Sequence, residues 1–182
     1  MRMGILQRFS RWAGSSKKMT TIVAGQTAPD FSLKSIDGKD YSLSKLLKRG
    51  PVFVSFFKVS CPVCQFTFPF LERLYKRYGG KDVTFLGISQ DNRRATKEFA
   101  DEYGVTFPMV LDAEGYPASN AYALTNVPTS FLIDTDGSVK IASLGFNKKD
   151  LEAIAAELSQ RGKIPPAALF RPDESVPGER PG

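Results

Sequence analysis

Two cysteines are the only pair of groups in this 182-residue chain spaced for joint covalent chemistry. They stand in Lys58-Val-Ser-Cys61-Pro62-Val63-Cys64-Gln65, directly after the apolar run Val52-Phe-Val-Ser-Phe-Phe57. A Cys-x-x-Cys at a strand-to-helix junction can open and close a disulfide, because one helical turn brings the sulfurs within bonding range. The first cysteine then sits where a helix N-terminus stabilises a thiolate, and such positions lower a cysteine pKa from about 8.5 to roughly 3.5–7.5. Pro62 stiffens this turn at a position where its missing N–H costs nothing. The chain has no histidine, so activation falls to backbone dipoles, to Lys58 or to water. Lys58, Ser60, Pro62 and Thr67 make up the expected surroundings of the thiolate. The competing reading is a pair of unreactive cysteines that merely pack.

The missing histidine also removes the commonest general base, the haem-attachment sequence and any Cys/His zinc site. No metal or other cofactor is expected, and two cysteines are too few for a disulfide-framework protein. The net charge is +6, but residues 1–18 carry Arg2, Arg8, Arg11, Lys17 and Lys18 with no acid, which leaves +1 for the other 164 residues. A nearly neutral body argues against nucleic acid as a partner.

Positioning the cysteines calls for alternating strands and helices. Phe31–Leu33 and Lys39–Ser42 flank Asp37-Gly38, a hairpin turn pair. A short helix is predicted over Leu43–Lys48. Val52–Phe57, apolar apart from Ser55, reads as a central strand covered on both faces. Helical spacing of Val63, Phe66, Phe70, Leu74 and Tyr78 predicts a helix over Pro62–Tyr78, kinked at Pro69. Asp82–Ser89 follows as a strand, and a helix capped by Asp91 or Asn92 runs to about Tyr103 and stops at Gly104. Phe107–Leu111 reads as a strand and Tyr116–Leu124 as a helix. Thr129–Asp134 and Ser138–Leu144 enclose a second hairpin turn at Asp136-Gly137, and Asn147–Arg161 closes the domain as a helix. The β-α-β-α order implies parallel strands with right-handed crossovers.

The chain divides into a basic leader (1–20), one domain (21–162) and a Pro/Gly-rich tail (163–182) without periodicity. In the leader, Ile5, Leu6, Phe9 and Trp12 would give a helix apolar on one side and basic on the other, so residues 2–18 are suited to an anionic membrane surface. A solvated terminus is the plainer alternative. No apolar stretch reads as a signal peptide or membrane span. The expectation is therefore a cytoplasmic protein, or a membrane-associated or periplasmic one if the true start lies upstream.

Taken together, Ala28-Pro-Asp-Phe31, the Asp37-Gly38 hairpin, the buried strand leading to Cys-x-x-Cys, Phe68-Pro69, Phe107-Pro-Met-Val-Leu-Asp112 and Val127-Pro-Thr-Ser-Phe-Leu-Ile-Asp134 resemble the thioredoxin-fold redoxins. The resemblance runs over about residues 24–160 and is strongest to TlpA/ResA-like thiol-disulfide oxidoreductases and the overlapping AhpC/TSA group. It implies an α/β thioredoxin-like fold: a central mixed sheet flanked by helices, with an N-terminal β-hairpin extension. It also implies that Cys61 is the exposed nucleophile and Cys64 the buried resolving thiol. Val127-Pro128 matches the family's cis-proline, placing Val127, Pro128 and Thr129 where a substrate strand would pair. The implied partners are protein disulfides or dithiols and a redox partner protein.

The sequence departs from the pattern in two places. Ser55 stands where thioredoxin has a buried acid, and Thr67 where many TlpA/ResA-like members have a glutamate, so neither carboxylate is present as a proton shuttle. Two other functions compete with disulfide exchange. A peroxiredoxin-like thiol peroxidase is suggested by Gly87-Ile-Ser-Gln-Asp91, yet the Pro-x-x-x-Thr/Ser-x-x-Cys pattern fails for both cysteines. A non-catalytic binding module on the same fold is the third reading.

Overall fold

The computed structural model describes residues 20–80 and 82–182, so the helix expected within residues 2–18 falls outside the described residues. β1 (Ser32–Lys34) and β2 (Asp40–Ser42) form the expected antiparallel hairpin, followed by α1 (Leu43–Leu46). The main sheet contains β3 (Val52–Phe57), β4 (Thr84–Ser89), β5 (Met109–Leu111), β6 (Thr129–Ile133) and β7 (Val139–Leu144), in the order β5-β4-β3-β6-β7. β3, β4 and β5 run parallel, joined by crossover helices α2 (Pro62–Tyr78) and α3 (Arg93–Tyr103); β6 and β7 are antiparallel additions. α4 (Pro117–Ala121) precedes β6, and α5 (Lys148–Arg161) follows the two-residue strand β8 (Phe146–Asn147). This is a mixed central sheet with layers on both faces.

β3 is the middle strand because every residue in it is fully buried and side chains alternate between two cores. Phe53 and Phe57 enter the core built by α2, α3 and α5, whereas Val52, Val54 and Phe56 enter the one under the hairpin, α1 and α4. Phe57, the last residue of β3, lies 4.4 Å from Phe68 and 4.9 Å from Phe99, measured between ring centroids. These aromatic contacts fix the N-terminal half of α2 over the end of the strand that leads to the cysteines.

α2 has the bounds expected from its spacing and continues unbroken across Pro69. Asn92 caps α3 by accepting from the Ala95 N–H, and Gly104 ends it at φ +64°, a left-handed conformation that favours glycine. α4 is shorter than expected because the chain turns left-handed at Ala123, φ +49°. Its start is held by buried Asp112, which accepts from the N–H groups of Ala118 and Ser119 and from the Ser119 hydroxyl. Asp112→Ala leaves these donors buried without a partner. The expected cost is about 1.5–3 kcal/mol, the range for hydrogen bonds to charged groups, read from urea unfolding midpoints at constant slope.

The C-terminal segment is not a loose tail. Phe170 is buried against Phe70 and Phe146, and Arg73 holds Glu174 in a bidentate pair at 2.7 and 2.5 Å. β9 (Glu179–Arg180) then pairs antiparallel with β8. The Arg73 guanidinium, with the Arg171 N–H, holds the Glu174 carboxyl down to about 2. Because the folded value is depressed, this contact is at full strength above the ordinary carboxylate range and is lost as pH falls through about 2. The Arg171 amide donates to Glu174 at 3.0 Å, so its NMR shift is expected to titrate with that low midpoint; a midpoint in the usual glutamate range would show the pair does not hold in solution.

Candidate active site

Cys61 is the N-cap of α2, with extended backbone at φ −83°, ψ 116°. Its sulfur accepts from the Cys64 N–H at 3.4 Å. The approach to Cys61 is pinned on both sides. The Val59 N–H donates to Asp91 Oδ2 at 2.8 Å, and the Val59 carbonyl accepts from Gln65 Nε2 at 2.9 Å. The Cys61 N–H closes the turn onto the Lys58 carbonyl at 3.1 Å.

The two thiols are unequal. Cys61 is half-buried and Cys64 fully buried. Burial pushes the Cys64 thiol far above the ordinary cysteine range, with the neighbouring Cys61 and the charge of Asp91 adding to the effect and the Lys58 backbone opposing it. Cys64 therefore stays protonated at neutral pH unless a base takes its proton.

Across from the pair, the Val127–Pro128 peptide bond is cis. The Cys61 S–H points at the Val127 carbonyl at 3.3 Å, so the loop and the cysteine are in direct contact. Thr129 Oγ1 donates to the Asn126 carbonyl at 2.8 Å and fixes the loop's curvature. Cys61, Cys64, Val127, Pro128 and Thr129, which the sequence brings together only through the resemblance, do meet at one end of the sheet.

The remaining expected residues divide. Pro62 occupies the first turn of α2 and is exposed, as is Ser60. The Lys58 side chain is exposed, and this residue reaches the pair through its backbone. Buried Thr67 donates to the Val63 carbonyl one turn back, at 2.6 Å, and Ser55 accepts from Ser130 at 2.9 Å. Thr67 is thus satisfied within its own helix, and Ser55 by its cross-strand neighbour on β6. Asp91, which the sequence offers only as a cap or strand end, is instead the carboxylate that anchors the loop before Cys61. Among the described residues, no three His, Cys, Asp or Glu side chains gather as a metal group, and no helix is long and apolar enough to cross a membrane.

A thioredoxin-like sheet that presents Cys-x-x-Cys on a helix N-terminus, opposite a cis-proline loop, defines the class: a thiol-disulfide oxidoreductase. The thioredoxin domain of a thiol-disulfide oxidoreductase from Bacteroides vulgatus shares the fold, with a TM-score of 0.65 at 23% identity over 75% of this chain and 98% of that one. Within the class, the AhpC/TSA family model matches residues 24–142, and the chain belongs to that family. The thiol-disulfide oxidoreductase ResA of Geobacillus kaustophilus (strain HTA426) is 35% identical over 135 residues, covering 73% of this chain and 76% of that protein. Peroxidoxin BcpB from Mycobacterium tuberculosis is similar too, with a TM-score of 0.62 at 25% identity over 78% of this chain and 97% of that one.

Proposed function

We propose that Cys61 attacks disulfides of substrate proteins and that Cys64 resolves the resulting mixed disulfide. The asymmetry of the two sulfurs carries this reading: one is reachable at the start of α2, the other is buried and protonated. The Cys61 thiolate forms a bond to one substrate sulfur, and the other substrate sulfur leaves as a thiolate. Cys64 then gives up its proton and attacks the Cys61 sulfur, releasing the second substrate thiolate. Two electrons pass to the substrate, and a Cys61–Cys64 disulfide remains for a partner dithiol to reduce. Val127, Pro128 and Thr129 form the wall against which the substrate segment lies, since the Val127 carbonyl is already at the reacting sulfur. Run backwards, the same steps oxidise a substrate dithiol, so the reduction potential sets the direction.

A peroxidase is the second reading, favoured by the likeness to a peroxidoxin. There the Cys61 thiolate would cleave the peroxide O–O bond, becoming a sulfenic acid that Cys64 condenses to the disulfide with loss of water. One experiment separates the two. The protein is equilibrated in glutathione buffers to titrate the Cys61–Cys64 couple, and peroxide consumption is measured on the same sample. A reversible two-electron couple with negligible peroxide turnover is expected. Rapid peroxide turnover would put the peroxidase first.

A further inference from the structure

The strand β9 and the two residues after it lie against the site itself. From the Gly178 carbonyl, which accepts from the Lys148 N–H at 2.8 Å, the chain pairs Glu179 with Asn147 and Arg180 with Phe146. The Arg180 guanidinium covers the face of Phe66, 3.9 Å from the ring centroid. Phe66 lies on α2 just after the cysteines and packs edge-on against Phe146 at 4.9 Å. The Arg180 carbonyl rests on Gly145, which has φ +70° and leaves no room for a side-chain carbon there. Gly182 then closes on Asn126 and on the Val127 carbonyl, so tightly that a side chain on it would collide with that carbonyl. This is the same carbonyl that receives the Cys61 S–H.

The segment's attachments are graded. Its root is fixed by buried Phe170 and by the Arg73–Glu174 pair. Residues 179–182 are exposed and hold on through two paired residues and one stacked arginine. The far end can therefore lift while the root stays anchored, and a tethered segment returns at a high effective concentration.

We infer that residues 179–182 decide which disulfides reach Cys61, by occupying the substrate strip as a built-in competitor. The inference rests on the assignment of Cys61 as the attacking thiolate. The strip is formed by Phe66, Asn126, Val127, Gly145 and Phe146. Its occupant shows what fits: an extended backbone, a basic side chain over Phe66 and a small residue over the Val127 carbonyl. An extended protein segment must displace the strap to pair along β8, whereas a small disulfide needs only the reachable side of Cys61. The strap thus lowers access for protein disulfides in proportion to the fraction of time it is closed.

The test compares the full chain, the chain ended after Gly178, and Arg180→Ala in the full chain, each with its dithiol reduced. Rates are measured on insulin disulfides and on oxidised glutathione. Both variants are expected to raise the insulin rate by about threefold or more with the glutathione rate unchanged. The truncation keeps Phe170 and Glu174, and Arg180→Ala changes no backbone, so two independent variants report. An unchanged insulin-to-glutathione ratio in both, or a fall in the insulin rate, overturns the strap while leaving disulfide exchange standing. Failure of all three proteins on both disulfides overturns the thiol-exchange reading on which the strap depends.

Discussion

Replacing Cys61 by serine is expected to abolish disulfide exchange, reducing insulin turnover to that of the buffer thiols, with little change in stability. The Cys61 sulfur is where a substrate sulfur must bond, and an alkoxide cannot take its place: serine's hydroxyl stays protonated and makes no S–O link of comparable stability. Few interactions depend on the sulfur for folding. Cys61 accepts one N–H from Cys64 and donates to the Val127 carbonyl, and a hydroxyl can make both kinds of bond. The residue is half-buried and caps α2, where serine is among the preferred caps. Stability should therefore move within about 0.5 kcal/mol, as for substitutions that open no cavity and bury no unpaired group. A midpoint shift well beyond that would mean the activity loss reports unfolding. Residual exchange above background in a folded variant would move the attacking role to Cys64.

Much of this site was legible because its chemistry lies on one continuous stretch. β3, the Cys-x-x-Cys and α2 follow one another, and their apolar periods switch from a buried run to helical spacing at Lys58–Cys61, so the spacing alone bounds α2 at Pro62 and Tyr78. Contacts across the fold were not legible in the same way. Asp91 meets the Val59 N–H across 32 positions, and nothing local in Gln-Asp-Asn distinguishes an acceptor for a distant loop from a helix cap. The strands β4 and β5 begin later than the apolar pattern suggests because pairing, and not side-chain character, sets their ends. Thr106 is drawn off to buried Glu72, which accepts both its N–H and its hydroxyl. The C-terminal segment is the least legible part of the described chain. Its docking depends on single residues, Phe170, Glu174 and Arg180, each finding a partner made by other elements. A lone phenylalanine among prolines and charges has no period for a sequence pattern to detect.

Cys64→Ser is expected to leave the first attack intact and to halt the reaction one step later, so that a mixed disulfide between Cys61 and the substrate accumulates towards one equivalent. The chain has only two cysteines, so no other thiol within it can resolve the intermediate. The bond waits for an external thiol. The substitution removes a fully buried sulfur on α2 and puts a hydroxyl in its place; the Lys58 backbone, which already meets the Cys64 sulfur, is within reach as a partner. Non-reducing electrophoresis or intact mass after mixing with insulin should show the adduct, and dithiothreitol should dissolve it. The same asymmetry governs the unmodified protein. Because burial holds Cys64 protonated at neutral pH, its thiolate fraction rises about tenfold per pH unit in that range. Resolution should therefore speed up as pH rises through the neutral range, and iodoacetamide should modify half-buried Cys61 well before fully buried Cys64. Equal alkylation of both thiols at neutral pH, or clean turnover by Cys64→Ser without a trapped adduct, would remove the division of labour between the two sulfurs.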